Sequence, residues 1–515
     1  MLWLLILVPA AAGGLAFAVP WNLGRRALLV TVAAIHAGLV AASYPGPDFS
    51  APVLYGWIGL DAASFLFLAV TSIIFLAAAL YAVGYLAREG RLAAVPVESD
   101  LAEEVPFVNF PEAVFTGCLL FFLAAMTLVV LSRHWGLLWV AVEATTLVSA
   151  PLIYYHRYPR SLEATWKYLV ICSVGIALAL LGNFFLAMSA RIGSAAPLHL
   201  VISDLELHAG QLDPRWLKAA FVLLLVGYGT KMGLAPLHTW LPDAHSEAPS
   251  LVSALLSGVL LNGAFLAILR GHCLLVKAGL GDFSRELLVL FGLVSMGVAA
   301  MFVIGQLDYK RLLAYSSVEH MGILVLGAGI GGAAGFGSMF HVLNHSLVKA
   351  MLFLAAGNTL AYFHTKSTLH VRGMLRVLPV TGLLWVAGLL AITGCPPFGT
   401  FLSEFAVLKG LLDTGRWAIA GYYLAALAIV FAGMSAVILP LVYGTADTSG
   451  TPRDEPRHGA ACEPPQEPHE RPLREPWWSL LPPLLLGLIA LVLGVYLPPG
   501  LSDLLHRAAS VVGVE

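Results

Sequence analysis

Apolar runs recur from one end of the chain to the other, separated by short polar stretches. Each is about 18 to 25 residues long, the length that crosses the hydrocarbon core of a bilayer. The pattern predicts helices near 2–20, 27–44, 60–86, 112–132, 136–155, 164–190, 216–246, 249–270, 286–305, 311–330, 335–361, 378–412, 417–443 and 477–497. Two of these carry breakers inside: 216–246 around Pro236, and 378–412 around "GCPPFGTF", which contains Pro396 and Pro397. Proline removes a backbone donor and clashes with the preceding turn, so both are expected to be discontinuous. The expected fold class is an all-α polytopic membrane protein of about fourteen transmembrane helices, broken at helices seven and twelve.

The organisation follows from the same pattern. Residues 1–111 hold helices one to three, 112–270 helices four to eight, 286–443 helices nine to thirteen, and 477–515 the last helix and a tail. The segment 444–476, rich in Pro and Glu and nearly free of apolar residues, reads as a flexible polar loop. The first twenty residues mimic a signal peptide but lack its positive leading region, and are read as the first span.

Loop charge sets an expected orientation. Arg25 and Arg26, then Arg157, Arg160 and Lys167, then Lys310 and Arg311, and finally Lys366, Arg372 and Arg376 all fall on one side of a fourteen-span count. The opposing loops 45–59 and 329–334 have no Lys or Arg. By the positive-inside rule both termini face outward.

Composition removes several function classes. Charged residues make up 11% of the chain and hydrophobic ones 59%, far from the roughly 25% charged residues of soluble domains. No basic patch with interleaved aromatics is present, which leaves nucleic-acid binding without support. The five cysteines, Cys118, Cys172, Cys273, Cys395 and Cys462, are scattered and form no C-x-x-C. Iron–sulfur and most zinc sites need clustered thiolates, so no such centre is expected in this chain.

Candidate chemistry lies in the charges inside the spans. Glu143, Lys231, Glu319, Lys349 and Glu404 all fall in predicted helices, where each costs about 2.5–3.5 kcal/mol on insertion scales. Such groups face the protein interior and pair. Competing readings exist: Lys349 snorkelling, and Glu319 or Glu404 sitting near a helix end. For Glu143 and Lys231, of opposite sign on spans five and seven, a pair is the economical reading. His341, His345 and Lys349 recur every four residues and so share one helix stripe. A proton-carrying line of imidazoles, an ammonium and water suits this spacing better than haem ligation, with plain packing as the rival. Spans four to eight and nine to thirteen also match as two five-helix units. The fourth helix of each is broken and the second carries a carboxylate. An odd number of helices per unit makes the repeats inverted, as in many ion-coupled transporters.

The motifs "GTKMGLAPLHTWLPDAHSEAPSLVSALLSGVLL", "DYKRLLAYSSVEHMG", "HSLVKAMLFLAAGN" and "GCPPFGTFLSEF" resemble the antiporter-like proton-translocating subunits of respiratory complex I, multisubunit cation/proton antiporters and membrane-bound [NiFe] hydrogenases. The resemblance spans roughly residues 110–445. "RSLEATWKYLVICSVGIALALLGN" and "SVEHMG" look most like the hydrogenase-4 component F branch. The resemblance implies a polar axis through the membrane centre built on Glu143, Lys231, Lys349 and Glu404. Many relatives have lysine where this chain has Asn262. An amide holds water but no proton, so the relay here is expected to lean on water, the histidines, or Glu319 and His320.

The function implied is a proton-translocating subunit of a redox-driven complex in a bacterial or archaeal cytoplasmic membrane. Its partners would be other antiporter-like subunits and a peripheral redox module carrying Fe–S clusters with a [NiFe] centre or a flavin. This chain itself would hold no cofactor or metal. In the expected mechanism, separation of the Glu143–Lys231 pair drives a proton from Lys231 past Asn262 and the histidine stripe toward Glu404. Two rival functions share the sequence: a Na⁺/H⁺ antiporter subunit without redox chemistry, and a structural scaffold with a vestigial channel, to which Asn262 gives some room.

Overall fold

The structure is a computed structural model that describes residues 1–44, 53–92, 109–193, 198–444 and 475–514. The predicted polar loop, with Cys462, therefore lies almost wholly outside the described residues, as do parts of loops 45–59 and 191–215. The helices are α1 (Leu2–Ala18), α2 (Asn22–Ala42), α3 (Ala62–Leu92), α4 (Glu112–Leu131), α5 (Trp135–Ile153), α6 (Pro159–Gly193), α7 (Ile202–Leu207), α8 (Pro214–Met232), α9 (Trp240–Glu247) and α10 (Ser250–Leu255). They continue as α11 (Leu261–Lys277), α12 (Gly281–Val303), α13 (Tyr309–Ile330), α14 (Ala333–Phe363), α15 (Met374–Val377), α16 (Pro379–Ile392), α17 (Gly399–Asp413), α18 (Trp417–Tyr443), α19 (Trp477–Val495) and α20 (Pro499–Val511). Eleven described helices are long and apolar enough to cross a membrane, counting α10 through α11 as one; α1 and α16 are shorter apolar helices. The pattern of apolar runs did not reveal α7, α15 or α20.

Local chemistry sets the helix ends. Asp213 caps α8 by accepting from the backbone amides of Arg215 and Trp216 at 3.0 and 3.1 Å, with Pro214 in the first turn. Asp308 does the same for α13 through Lys310 and Arg311 at 2.7 and 3.1 Å. α8 stops at Gly233, whose φ of +81° is the left-handed conformation that ends helices.

Both predicted breaks are present. Between α8 and α9 the chain runs irregularly through Pro236, yet its freed backbone groups find partners inside the protein. Trp240 Nε1 donates to Thr230 O at 2.8 Å, and the Ala235 amide donates to Ser295 Oγ at 3.0 Å. Irregular backbone at membrane depth survives only when satisfied in this way. The second break, 393–398, separates α16 from α17; there the Thr400 hydroxyl donates to Ala391 O and the Cys395 amide to Leu390 O at 2.9 Å.

Burial separates two kinds of helix. The α10–α11 span, α13 and α14 are enclosed on nearly all sides, whereas α2, α6, α18 and α19 turn much of their surface outward. Outward positions are apolar, among them Val170, Val174, Phe184, Leu424 and Leu488. Ser257, Asn262, Glu319, His320, His341, Asn344, His345 and Lys349 are buried on the enclosed helices. The lipid-facing surface is thus apolar while polarity collects in the middle, as a bilayer requires.

Three of the basic loops meet on one face. Lys167 and Arg311 both reach Asp243, at 2.9 and 3.0 Å. Lys366 pairs with Glu247 at 2.8 Å, and Lys310 and Lys366 both donate to Ser246 O. A second ionic knot ties α3 to α11: Asp61 binds the Arg270 guanidinium at 2.7 Å and also that of Arg133. Burial pushes the Asp61 carboxyl up, but the two guanidinium charges outweigh it and hold the carboxyl well below the usual range.

Candidate functional site

At the first break, Lys231 is 1% exposed near the end of α8. Its ammonium donates to Thr146 Oγ1 at 2.8 Å and to the Tyr168 hydroxyl at 2.6 Å, and lies 4.6 Å from the Tyr168 ring centre. The expected direct contact with Glu143 is not made. Glu143 accepts instead from Thr146 Oγ1 at 3.3 Å and from Ser173 Oγ at 3.0 Å. Thr146 therefore stands between the charges, accepting from the ammonium and donating to the carboxylate. The physical reason is helical spacing: Thr146 is three residues after Glu143 and shares its face of α5, so the hydroxyl reaches the ammonium first. Tyr168 in turn contacts Ser149 Oγ at 2.6 Å. A lysine buried between two hydroxyls and beside an aromatic ring is held by neutral dipoles, with the carboxylate one bond farther away.

Beyond this end, polar side chains continue on the enclosed helices. Ser253 donates to His245 O, Ser257 and Ser317 hydroxyls meet at 2.8 Å, and Asn262 Nδ2 donates to Ser346 Oγ at 2.7 Å and Gly258 O at 2.9 Å. Asn262 follows a π-helical turn, Leu256–Leu260, that re-aims the span here; such bulges recur at functional positions. Lys349 is fully buried and donates to Leu313 O at 2.8 Å, so it does not snorkel. Glu319, 2% exposed, and Glu404, 6% exposed, are likewise interior.

The histidines do not form the single-helix line their spacing predicts. His341 and His345 rings are 6.4 Å apart along α14. His320 of α13 inserts between the helices, and its Nδ1 meets His341 Nε2 at 2.9 Å. His320 takes the hydrogen bond because it faces His341 across the α13–α14 contact, while the His341 and His345 rings stack along one helix. Hydrogen-bond accounting fixes the His341 tautomer. Ser403 Oγ donates to Thr400 O at 2.9 Å, so it accepts from His341 Nδ1–H, also at 2.9 Å. His341 Nε2 and His320 Nδ1 then share one hydrogen bond. One donor atom each from His320, His341 and Glu404 lie within 4.8 Å of one another.

Gly394, in the second break, has φ +64°, and a Cβ there would meet Glu404 Oε2 at 1.9 Å. The break thus lets bare backbone lie against the carboxylate, as helices without glycine would not. Pro236 and the Pro396–Pro397 pair mark the breaks but touch none of these groups through polar contacts.

Several buried polar atoms along this line have no protein partner: both ring nitrogens of His245 and His345, both side-chain amide atoms of Asn344, Asn262 Oδ1, Ser316 Oγ and Glu404 Oε1. Buried polar atoms in folded proteins are almost always satisfied, by ordered water where protein fails. On the basic face a cavity of about 270 Å³, lined in part by His156, Glu247, Ser250, Lys310 and Lys366, reaches the end of α9.

Sequence reasoning named Glu143, Lys231, Asn262, Glu319, His320, His341, His345, Lys349 and Glu404; all but Glu143 are buried, and Glu143 is half-buried on α5 and so does not face the interior as expected. It missed Thr146, Tyr168, His245 and Ser403. His245 was visible inside the "LPDAHSEAPS" motif, and Thr146 one turn from Glu143; Tyr168 and Ser403 carry no local signal.

The transmembrane family described as NADH:quinone oxidoreductase/Mrp antiporter matches residues 132–432. A hydrogenase-4 component F homolog of Methylacidiphilum infernorum (isolate V4) is 37% identical over 353 residues, covering 68% of this chain and 71% of that protein. Among solved structures, a chain of the membrane-bound sulfane sulfur reductase, an archaeal respiratory membrane complex, superposes with a TM-score of 0.80 at 19% identity, covering 99% of this chain and 97% of its own. A chain of the Mrp complex from Dietzia sp. DQ12-45-1b gives 0.79 at 21% identity, covering 99% of this chain and 96% of its own. At these identities the two structures speak for the fold.

Proposed function

The chain belongs to the membrane family shared by NADH:quinone oxidoreductases and Mrp antiporters, and on that footing we propose that it is a proton-translocating membrane subunit of a redox-driven complex, of hydrogenase-4 or complex I type. The observation that carries the reading is the set of polar side chains buried on the enclosed helices between Lys231 at one broken helix and Glu404 at the other.

Each group has a role that follows from its contacts. With Lys231 charged, Thr146 is oriented to accept from it and donate to ionised Glu143, and the ammonium is stabilised by that dipole and by the carboxylate beyond. The charges are no farther apart than the two hydrogen bonds laid end to end, about 6 Å, where an effective dielectric of about 20 gives roughly 3 kcal/mol. When Glu143 loses its charge or moves, Lys231 is left among neutral hydroxyls and releases its proton. Serines, Asn262 and the water demanded by the unpartnered atoms carry it toward Lys349. At the second end, His320 and His341 share a hydrogen bond. A proton arriving there passes from one imidazole to the other, beside Glu404. Asn262 holds two donors and one free acceptor, which suits it to positioning water in place of an ionisable group.

We assign the redox chemistry, on Fe–S clusters with a [NiFe] centre or a flavin, to a peripheral module, and expect further antiporter-like subunits beside this one. The host is a bacterial or archaeal cytoplasmic membrane with both termini outside, and the paired five-helix units are inverted repeats. The competing function, a Na⁺/H⁺ antiporter subunit, draws on the same family and would use the same line. Purifying the native complex separates them: hydrogenase or quinone-reducing partners support the redox reading, and a set of small antiporter subunits overturns it.

The direct test compares Lys231→Met and Glu143→Gln complexes for proton uptake per electron transferred. Both are expected to lower that ratio in fully assembled complexes. Wild-type ratios in both would sink the proposal.

A further inference from the structure

The His320–His341–Glu404 cluster has the makings of more than a proton relay. Its ligand atoms come from three helices, α13, α14 and α17, at one depth, and all three side chains are buried. Two imidazole nitrogens and a carboxylate are a donor set that divalent transition ions prefer, zinc above all. His320 Nδ1 and His341 Nε2 are 2.9 Å apart. Two ligands on a tetrahedral ion with Zn–N bonds of about 2.0–2.1 Å sit roughly 3.3 Å apart, so the nitrogens need to open by only a few tenths of an ångström. Glu404 Oε1 has no protein partner.

The surrounding contacts match what a ligating histidine needs. His341 already donates Nδ1–H to Ser403 Oγ at 2.9 Å, which presents the Nε2 lone pair to the cluster; such outer hydrogen bonds fix tautomer and orientation in metal sites. His320 takes the ligating tautomer with its proton on Nε2. Glu404 supplies a carboxylate to the ion.

We propose that His320, His341 and Glu404 form a binding site for a divalent transition ion of the zinc class, which takes the place of the proton shared by the two imidazoles. Binding stands on the geometry alone. Its consequence, arrest of proton passage at this point, rests on the function proposed above.

The test uses the full chain purified in detergent, with Zn²⁺ as the ion and X-ray absorption to count imidazole ligands. The expected result is one bound Zn²⁺ with at least two imidazoles, abolished in His341→Gln and in Glu404→Gln. Ser403→Ala, which removes only the outer hydrogen bond, is expected to weaken affinity about 10–100-fold. Size-exclusion profiles identical to wild type establish that the variants are folded. Zn²⁺ held equally by wild type and all three variants, or a wild-type shell without two imidazoles, overturns the site. A parallel measurement of proton uptake by the intact complex in Zn²⁺ separates the two claims. Binding without inhibition leaves the site standing and counts against proton passage through this cluster.

Discussion

Thr146→Val isolates the hydroxyl that stands between the two charges, because valine keeps the shape and removes only Oγ1. The loss has two parts. Lys231 forfeits a charge-assisted hydrogen bond at 2.8 Å and keeps only Tyr168 as a hydrogen-bond partner, and Glu143 forfeits the weaker bond at 3.3 Å while keeping Ser173. A hydrogen bond to a charged group is worth about 1.5–3 kcal/mol, and each 1.36 kcal/mol is tenfold in a protonation equilibrium. The coupling by which Glu143 holds the charge on Lys231 should therefore weaken by about 10- to 100-fold. The assay is simultaneous electron transfer and proton uptake by the assembled complex in proteoliposomes. Proton uptake per electron should fall in Thr146→Val and recover in Thr146→Ser, which restores a hydroxyl. Lys231→Met should mask any further effect of Thr146→Val, since both act on one link. A Thr146→Val complex with the wild-type ratio would refute the bridging role, and the charges would then have to communicate directly or through water.

Two further outcomes follow from the packing. Asp61→Asn leaves Arg270, only 2% exposed, without its carboxylate. It should destabilise the fold by about 3–5 kcal/mol, seen as a lower midpoint in thermal-aggregation profiles; an unchanged midpoint would show that the knot is not structural. Gly394→Ala places a Cβ against Glu404 Oε2 in a backbone conformation that alanine resists. Assembly should survive while proton uptake per electron drops, and wild-type uptake would show that the carboxylate need not sit where it does.

The sequence by itself determined a great deal. Run lengths and breakers located the long helices, and proline with its flanking residues located both interruptions, because one residue type acts locally on its own backbone. Isolated charges in apolar runs identified Glu143, Lys231, Glu319, Lys349 and Glu404, because the bilayer penalises each one regardless of its neighbours. Partners were another matter. Glu143 and Lys231 were matched by sign, which cannot reveal that Thr146 fits between them. His341 and His345 were matched by spacing, which cannot reveal that His320 enters from α13 and takes the hydrogen bond. α20 went unnoticed because a short amphipathic helix has no long apolar run. Nor could any local pattern bring Ser403 beneath His341 or Gly394 against Glu404. Those contacts join residues distant in sequence, and only the packing of α13, α14 and the second broken helix decides them.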